Sequence, residues 1–494
     1  MLNPICRRFG VAVMLAAGAV SQGSAREVAG DPRVREALAF VELWLDGQRA
    51  YEGIPGISVA IVHDQELVWS AGFGLADRER QTAATPSTVY SICSISKLFT
   101  SVAVMQLRDE GRLRLDDPVV RHLPWFAVPQ MYPESSPIDI ESLLTHSAGF
   151  QEDPSIPYWT APFDFPTREE IRESLPAEET LYPSESRYEY SNLGLVLAGE
   201  IVAAVSGSAF EERVRERVLD PLGLASTMEL PEARRGGRLA TGYSARRRDG
   251  ARPAVAPFET RGLLPAAGFA STVEDLARFA SWQLRLLAGG SSDVLAANTL
   301  REMQRVQFTD PDWSKTRGLG FEVWRSGDRT FVGHGGECPG YRTALLVQAD
   351  DRIATVFMAN ANGVRSEVFA QQIHDIVAPA IRAAAARKEP AVAAPSAPSS
   401  DIALEKLRGV YDLAPWGGEA IVFPWEGELA FLELPSSAPL ADLFRLRAVE
   451  GRPGRFRRLR EHDAAGEPIV FDLDAEGRAL RLWRWNNPFP RISR

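Results

Sequence analysis

Apolar residues recur at helical intervals after Ser94, and the spacing predicts a helix with one buried face. The apolar positions of this stretch are Ile95, Leu98, Phe99, Val102 and Met105. Gly111 is a natural stop, so the helix is expected to begin at Ser94 and to end close to residue 110. The same spacing predicts helices over residues 193–205, from about 271 to 287, and from about 364 to 387.

Short apolar runs near both ends of the same region predict strands. The runs 57–62 and 67–71 flank the polar segment 63–66, as in a β-hairpin. The runs 342–347 and 353–358 are separated by Asp350 and Asp351, and shorter runs lie at 319–324 and 330–332. With strands at both ends and helices between them, the pattern predicts an α+β domain whose antiparallel sheet is built from its two ends.

Three further segments give weaker patterns. Residues 138–150 predict a short helix that closes on Gly149, with His146 bonded to backbone rather than acting as a base. Ser208 and Glu211 have the spacing of a capping box at the start of a helix that runs to about residue 219. Residues 151–187, rich in Pro and acidic residues, predict a long loop at the rim of a cleft.

The composition changes after the last of these helices. Residues 388–400 are rich in Pro, Ala and Ser, which is typical of a linker. Beyond them, closely spaced strand patterns separated by Gly and Asp turns predict a small all-β domain over 401–494. The first domain is therefore expected to span residues 26–387.

The first 25 residues have the features of a secretory signal peptide. Arg7 and Arg8 precede an apolar run over 9–20, and residues 23–25 have the small side chains of a cleavage site. Because the run is too short to cross a bilayer, the sequence predicts an exported protein, periplasmic or secreted, with no membrane span in the mature chain. The formal net charge of −10 over 494 residues argues against a nucleic-acid partner.

Ser94 and Lys97 are a candidate nucleophile and base. Residues three apart on a helix lie on the same face, about 5–6 Å apart at Cβ, so the amine can take the hydroxyl proton. A buried lysine can lose its proton, whereas an arginine cannot, and only four of the 55 basic residues are lysines. On its own the pair is weak evidence, because a capping serine followed by a solvated lysine has the same spacing.

Two further motifs carry groups that are suited to catalysis. Tyr190 and Asn192 combine a phenol that can move a proton with an amide that can bind a substrate carbonyl. The segment His334–Glu337 follows a predicted edge strand, and its two glycines let a ligand approach backbone N–H groups. Each motif alone is more typical of a packed aromatic residue or of a turn.

In this order, the Ser-x-x-Lys, Tyr-x-Asn and His-Gly-Gly motifs resemble those of the serine penicillin-recognising hydrolases. This family includes class C β-lactamases, D-alanyl-D-alanine carboxypeptidases, and esterase and D-aminopeptidase relatives. The resemblance extends over about residues 35–385 and includes the stretches 143–149 and 267–271. It implies a β-lactamase/transpeptidase-like domain. The region from Leu407 onward resembles the small lipocalin-like barrel that is appended to some relatives.

The resemblance also implies roles for the residues of the three motifs. Ser94 is the implied acylated nucleophile, with Lys97 as its base and Tyr190 as a proton shuttle. The implied substrate-binding residues are Asn192, His334, Gly335 and Gly336, and the implied oxyanion-hole donors are the backbone N–H groups of Ser94 and Glu337. Neither a cofactor nor a metal is implied. The expected partner is a small-molecule or peptide substrate, and the oligomeric state stays open.

His334 departs from the β-lactamase pattern. Class C β-lactamases usually carry lysine here, whose charge binds a β-lactam carboxylate, whereas histidine is mostly neutral near pH 7. The sequence therefore favours hydrolysis of an amide or ester through an acyl-enzyme, with a D-amino-acid peptide as the first candidate. The alternatives are a β-lactamase in the strict sense and a penicillin-binding or sensing protein that is acylated but turns over little.

Cys93 and Cys338 are a second departure. In this fold the two positions flank the active site, and they resemble the cysteine pair that staples the site of carbapenem-hydrolysing class A β-lactamases. A disulfide is therefore expected in an exported protein, with two reduced, buried thiols as the alternative. The segment Lys315–Arg317 is similar to the family's Lys-Thr-Gly motif but lacks the glycine, so it is assigned no role.

Overall fold

The computed structural model describes residues 25–386 and 403–492. The predicted signal peptide, apart from Ala25, and the predicted linker 388–400 lie outside the described residues. The α-helices are α1 (Ala25–Gly30), α2 (Pro32–Glu52), α3 (Ser96–Asp109), α4 (Val119–His122), α5 (Ile140–Thr145), α6 (Arg168–Ser174), α7 (Asn192–Ser206), α8 (Phe210–Val214), α9 (Leu230–Arg235), α10 (Leu264–Ala267), α11 (Val273–Leu287), α12 (Ala297–Gln304), α13 (Ser366–Ala385) and α14 (Pro439–Asp442).

Strands form the main sheet, a small three-stranded sheet and a barrel. They are β1 (Gly56–His63), β2 (Glu66–Asp77), β3 (Thr82–Ala83), β4 (Tyr90–Ser91), β5 (Met228–Glu229), β6 (Phe269–Ser271), β7 (Phe308–Thr309), β8 (Thr316–Arg317), β9 (Glu322–Ser326), β10 (Arg329–Cys338), β11 (Tyr341–Gln348), β12 (Ile353–Ala359), β13 (Gly409–Asp412), β14 (Glu419–Trp425), β15 (Glu428–Leu434), β16 (Phe444–Ala448), β17 (Arg455–Leu459), β18 (Ala465–Leu473), β19 (Ala479–Arg484) and β20 (Asn487–Ile492).

The main sheet joins the two ends of the first domain. Its nine strands follow the order β3-β2-β1-β12-β11-β10-β9-β8-β7. The early strand β1 pairs antiparallel with the late strand β12, with Ile57 opposite Ala359. The predicted α+β fold, with a sheet assembled from both ends, is confirmed. The predicted C-terminal barrel is also confirmed, because β13 to β20 close on themselves.

Each face of the main sheet belongs to a different core. Alternate residues of β1 point to opposite faces, as a strand requires. Ala60 and Val62 join one core together with α3, α7 and α11, whereas Val59 and Ile61 join a second core with α2 and α13. The candidate nucleophile therefore lies on the face that α2 and α13 do not cover.

The barrel packs against α2. Trp44 Nε1 donates a hydrogen bond to the Ser436 carbonyl oxygen (3.0 Å), and the Phe40 and Phe423 rings stack with centroids 4.4 Å apart. Side chains of β14 and β15 belong to the same core as α2. The barrel is thus attached to the side of the sheet away from α3.

Three local predictions are corrected by the structure. The segment 151–187 is not only a loop, because it contains α6, which begins at a capping box between Thr167 and Glu170. Ser208 does not cap the next helix: Ala209 is its N-cap residue, while the Ser208 hydroxyl bonds to that of Ser206. The helix predicted to close on Gly149 ends at Thr145.

No single helix within residues 25–386 and 403–492 is long and apolar enough to cross a membrane. Taken together, the segments Asn192–Ser206 and Phe210–Leu219 are long and apolar enough, but they are bent by 81° relative to each other.

Candidate active site

Ser94 lies in a tight turn at the start of α3. The turn is a 3-10 segment, Cys93–Ile95, and the α-helix begins only at Ser96, so Ser94 precedes the helix that it was predicted to begin. Strand β6 holds the turn in place: Ile92 N–H donates to the Phe269 carbonyl oxygen (3.0 Å). Cys93 has a φ of 51°, a left-handed conformation that non-glycine residues rarely adopt.

Lys97 is completely buried beside Ser94. Its Nζ lies 3.1 Å from Ser94 Oγ, 2.7 Å from Asn192 Oδ1 and 3.0 Å from the Ala266 carbonyl oxygen. Burial lowers the pKa of Lys97 to about 7, although the Asp153, Glu152 and Glu322 carboxylates oppose this change. Near neutral pH a large fraction of the amine is therefore unprotonated and able to accept a proton.

Tyr190 lies beside the Ser94 and Lys97 pair. Its ring lies 4.8 Å from Lys97 Nζ, and its phenol interacts with the Ser94 side chain. Loss of solvation raises the pKa of Tyr190 far above its ordinary value, so the phenol keeps its proton at rest. The residue is therefore a proton donor rather than a base in the resting site.

The His146 ring packs against the Tyr190 ring. The two rings stack with centroids 4.5 Å apart, and His146 Nδ1 accepts a hydrogen bond from the Ser191 N–H (3.0 Å). Burial holds the pKa of His146 well below its usual range, and the Arg317 and Lys97 charges act in the same direction. This residue is thus a neutral, backbone-bonded histidine at the helix end.

The His334–Glu337 segment lies within β10 and not in a turn after it. Pairing between β9 and β10 stops at Gly333 opposite Glu322, so the residues that follow are not paired with β9. A side chain at Gly336 would collide with the Ile92 carbonyl oxygen and the Thr343 hydroxyl, which is why only glycine fits there. The backbone of β10 therefore lies directly against the Ser94 turn.

His334 is 4% exposed, and its ring centroid lies 6.2 Å from that of Tyr190. Burial lowers the pKa of His334 to about 4, although the Glu322 carboxylate opposes this change. The imidazole is therefore neutral throughout the physiological pH range.

Cys93 and Cys338 form a disulfide in the structure, with Cα atoms 5.7 Å apart and a sequence separation of 245. The bond ties the Ser94 turn to the end of β10. Ser94 and Glu337, whose N–H groups are the predicted oxyanion-hole donors, are each adjacent to one of the two cysteines. The disulfide thus fixes the spacing between the two segments that carry these donors.

Replacing both cysteines with serine is expected to destabilise the protein by up to about 5 kcal/mol, because an open chain gains entropy when a loop of this length is released. Urea unfolding of the oxidised wild type and of the double variant measures the difference. Reductant should move the wild-type midpoint toward that of the variant and leave the variant unchanged. Identical midpoints under oxidising conditions would show that the bond adds no stability.

A cavity of about 650 Å³ opens over Ser94. Every lining residue lies between positions 94 and 367, so the barrel contributes none. The acidic residues of the lining are Glu152, Asp153, Glu322, Glu337 and Glu367. Among the lining residues of the described chain, Arg342 is the one arginine, and it is already paired with Glu337 and Glu367. The cleft therefore carries a clear excess of negative charge.

The segment 151–187 contributes residues that the sequence motifs did not identify. Glu152, Asp153, Trp159 and Phe163 all line the cavity. Asp153 accepts hydrogen bonds from Asn192 Nδ2 (2.8 Å) and from Trp159 Nε1 (2.7 Å). No periodicity or motif marks these side chains, since they come from an irregular segment. Within the described residues, no group of three or more His, Cys, Asp or Glu side chains could hold a metal ion.

The fold and the site define a β-lactamase-type domain. The family model described as Beta-lactamase matches residues 41–378, and the chain belongs to this family. It is 26% identical over 377 residues to penicillin-binding protein 4 of Amycolatopsis lactamdurans, covering 74% of this chain and 95% of that protein. It is 24% identical over 360 residues to beta-lactamase-like protein 2 of Dictyostelium discoideum, covering 71% of this chain but only 64% of that protein.

Solved structures share the fold at low sequence identity. The octameric penicillin-binding protein homologue from Pyrococcus abyssi superposes with a TM-score of 0.60 at 22% identity, covering 90% of this chain and 97% of the other. A D-stereospecific amidohydrolase from Streptomyces sp. superposes with a TM-score of 0.57 at 23% identity, covering 68% of this chain and 97% of the other. The first of these matches extends well beyond the β-lactamase-type domain.

Proposed function

We propose that this protein is a serine hydrolase that forms an acyl-enzyme through Ser94. The observation that carries the proposal is the 3.1 Å separation between Ser94 Oγ, which lines an open cavity, and the Nζ of Lys97, a buried amine whose pKa is lowered to about 7. A serine hydroxyl becomes a strong nucleophile when a base of this kind accepts its proton.

Each side chain has a part in the proposed reaction. Lys97 takes the Ser94 proton while Oγ attacks the substrate carbonyl, and the N–H groups of Ser94 and Glu337 stabilise the resulting oxyanion. Tyr190, protonated at rest, donates a proton to the leaving group. Asn192 binds the acyl side of the substrate with its amide. Water then attacks the acyl-enzyme and gives a proton to the Tyr190 phenolate, while Lys97 returns its proton to Ser94 Oγ as the acyl group leaves.

The charge of the cleft bears on the substrate class. A substrate carboxylate next to the scissile bond would meet a neutral His334 and a lining with five acidic residues and one arginine. The arginine is paired with two of these acids, and Glu322 is paired with Arg317, which leaves Glu152 and Asp153 without an arginine partner among these ion pairs. We therefore propose amides and esters without such a carboxylate, of the aminopeptidase or esterase type, with D-amino-acid peptides as the first candidates. Similarity in fold to a D-stereospecific amidohydrolase is consistent with this choice. β-Lactams and carboxypeptidase substrates carry the disfavoured group.

A panel of substrates tests this proposal. Purified protein is incubated with D-alanine p-nitroanilide, a neutral p-nitrophenyl ester, a D-Ala-D-Ala peptide and a chromogenic cephalosporin, and both turnover and adduct mass are followed. We expect fast turnover of the first two. Faster turnover of the cephalosporin would support a β-lactamase instead, and a persistent stoichiometric adduct without turnover would support a sensor.

We also propose that the protein is exported and acts in the periplasm or outside the cell. Two features support this: the signal-like pattern of residues 1–25 and the disulfide between Cys93 and Cys338, which persists in oxidising compartments. The proposed partner is the small-molecule or peptide substrate.

A further inference from the structure

We propose that Asp153 is a positioning residue that orients the Asn192 amide and, through it, holds Lys97 in line with Ser94. This inference rests on the proposed acyl-enzyme chemistry at Ser94. It assigns a role to a side chain of the irregular segment after α5, outside the three sequence motifs. Asp153 acts through Asn192 and Lys97.

The Asp153 carboxylate is held by three donors. It accepts hydrogen bonds from Asn192 Nδ2 (2.8 Å), from Trp159 Nε1 (2.7 Å) and from the Tyr158 hydroxyl. The Tyr158 and Trp159 rings lie 5.0 Å apart, and both pack against Phe165. A carboxylate fixed by two rigid aromatic donors has little freedom to turn away from Asn192, so it is a firm support for the amide.

The contacts of Asn192 allow one orientation of its amide. A carboxylate only accepts hydrogen bonds, so Asp153 must face the NH₂ group of Asn192. This leaves Oδ1 of Asn192 directed at Lys97 Nζ, 2.7 Å away. In the flipped orientation the amide oxygen would face the carboxylate and the NH₂ group would face the amine, and both contacts would be repulsive when Lys97 is charged. Asp153 therefore decides which atom of Asn192 meets Lys97.

Asp153 also contributes charge to the site of Lys97. The charged and titratable groups around this amine are Glu152, Asp153 and Glu322, together with Tyr190, His146, His334 and Arg317. Loss of the Asp153 charge makes protonation of Lys97 less favourable, so the pKa of Lys97 falls. Activity that depends on the unprotonated amine would then extend to lower pH.

Glu152 provides a matched control for the charge effect. It precedes Asp153 in the chain, lines the same cavity and also raises the pKa of Lys97. In the described structure its exposed side chain makes no hydrogen bond to Asn192, whose NH₂ group bonds to Asp153. Glu152→Gln therefore removes one negative charge without removing the hydrogen bond from Asp153 that orients the Asn192 amide.

The test compares kcat/KM and its pH profile for Asp153→Asn and Glu152→Gln, with a neutral p-nitrophenyl ester as substrate. Both variants should move the acid limb of the profile to lower pH, by about 0.5–1 unit for Asp153→Asn. Only Asp153→Asn should lose kcat on the order of 10²-fold, since a misplaced catalytic group costs about this much. Glu152→Gln should lose less than about fivefold, as expected for an exposed charge. Equal losses in the two variants would overturn the proposal.

A charge-preserving variant separates positioning from charge. Asp153→Glu keeps the negative charge near Lys97 but moves the carboxylate by one methylene group from the position in which it holds the Asn192 amide. We expect kcat to fall at least about tenfold while the acid limb of the pH profile stays near that of the wild type, with all variants folded by circular dichroism; wild-type kcat in a folded Asp153→Glu variant would overturn the proposal. If the wild type shows no Ser94-dependent turnover, the proposed function itself fails, which is a distinct outcome.

Discussion

The Ser94→Ala variant is expected to lose turnover of amides and esters by about 10⁶-fold, the scale seen when a catalytic serine is removed. The reason is that the variant lacks the only atom that the account allows to bond to the acyl group, while Lys97 and Tyr190 keep their places around the gap. No covalent adduct should form, even with a substrate that accumulates an acyl-enzyme on the wild type. Steady-state rates and intact-protein mass spectrometry measure both losses.

Ser87→Ala is the matched control for this variant. Ser87 is an exposed serine seven residues before Ser94, and among the described residues its hydroxyl hydrogen bonds to that of Thr85. It should retain wild-type rates and adducts. Ser94→Ala should unfold at a temperature close to that of the wild type, so that the loss is chemical. Residual full activity in a folded Ser94→Ala variant would refute the assignment.

The Lys97→Arg variant is expected to lose about 10²–10⁴-fold in kcat, the range that general base catalysis contributes. Arginine preserves the positive charge but does not give up its proton in proteins, so it cannot accept one from Ser94. Lys315→Arg is the control, because Lys315 is an exposed lysine outside the cleft. Retained activity in Lys97→Arg would mean that charge alone, and not proton transfer, is the role of this position.

The same base predicts the pH dependence of the wild type. The pKa of Lys97 lies near 7, and the unprotonated form is the active one. The value of kcat/KM for a neutral ester should therefore rise tenfold per pH unit below this pKa and level off above it. His334, with a pKa of about 4, adds no step between pH 5 and 9. A flat profile over this range would contradict the role of Lys97.

Much of the fold follows from local patterns in the sequence. The apolar runs of β1, β11 and β12 mark buried strands, and the positions of these strands at both ends of the domain imply that they meet. The helical spacing after Ser94 places Lys97 on the same side as the serine. These features depend on neighbours within a few residues, which is why periodicity reveals them.

Other features depend on contacts that no local pattern records. Ser208 and Glu211 have the spacing of a capping box. In the structure, however, Glu211 Oε2 lies 3.5 Å from Nη2 of Arg168 in another helix, so this side chain forms an ion pair instead of a cap. By contrast, the capping box of Thr167 and Glu170 is a local signal, but it lies within a Pro-rich segment whose composition favours a loop. Local sequence rules give the conformations that a segment can adopt, and tertiary contacts determine which of them it adopts.

The residues of the candidate site also fall into two groups: those that local motifs identify and those that only the folded structure brings together. Ser94, Lys97, Tyr190 and Asn192 were identified because their motifs combine in a known order. Asp153 was not, because its importance arises only when a distant helix brings Asn192 to within 2.8 Å. The excess of carboxylates in the cleft was equally invisible, since its members are scattered between positions 152 and 367.

The position of the barrel relative to the cleft could not be predicted from the sequence. The sequence left open whether this domain limits access to the cleft. Its packing on α2 through Trp44 and Phe40, and the absence of barrel residues from the described lining of the cavity, separate it from the cleft within one chain.

The most direct test of the account is the location of the acyl group. Wild-type protein is mixed with a p-nitrophenyl ester, quenched in acid within the first turnover, digested and mapped by tandem mass spectrometry. We expect one added acyl group per chain, on the Ser94 side chain of the peptide that contains this residue. An acyl group on any other side chain, or turnover with no covalent intermediate under conditions that trap one, would contradict the account.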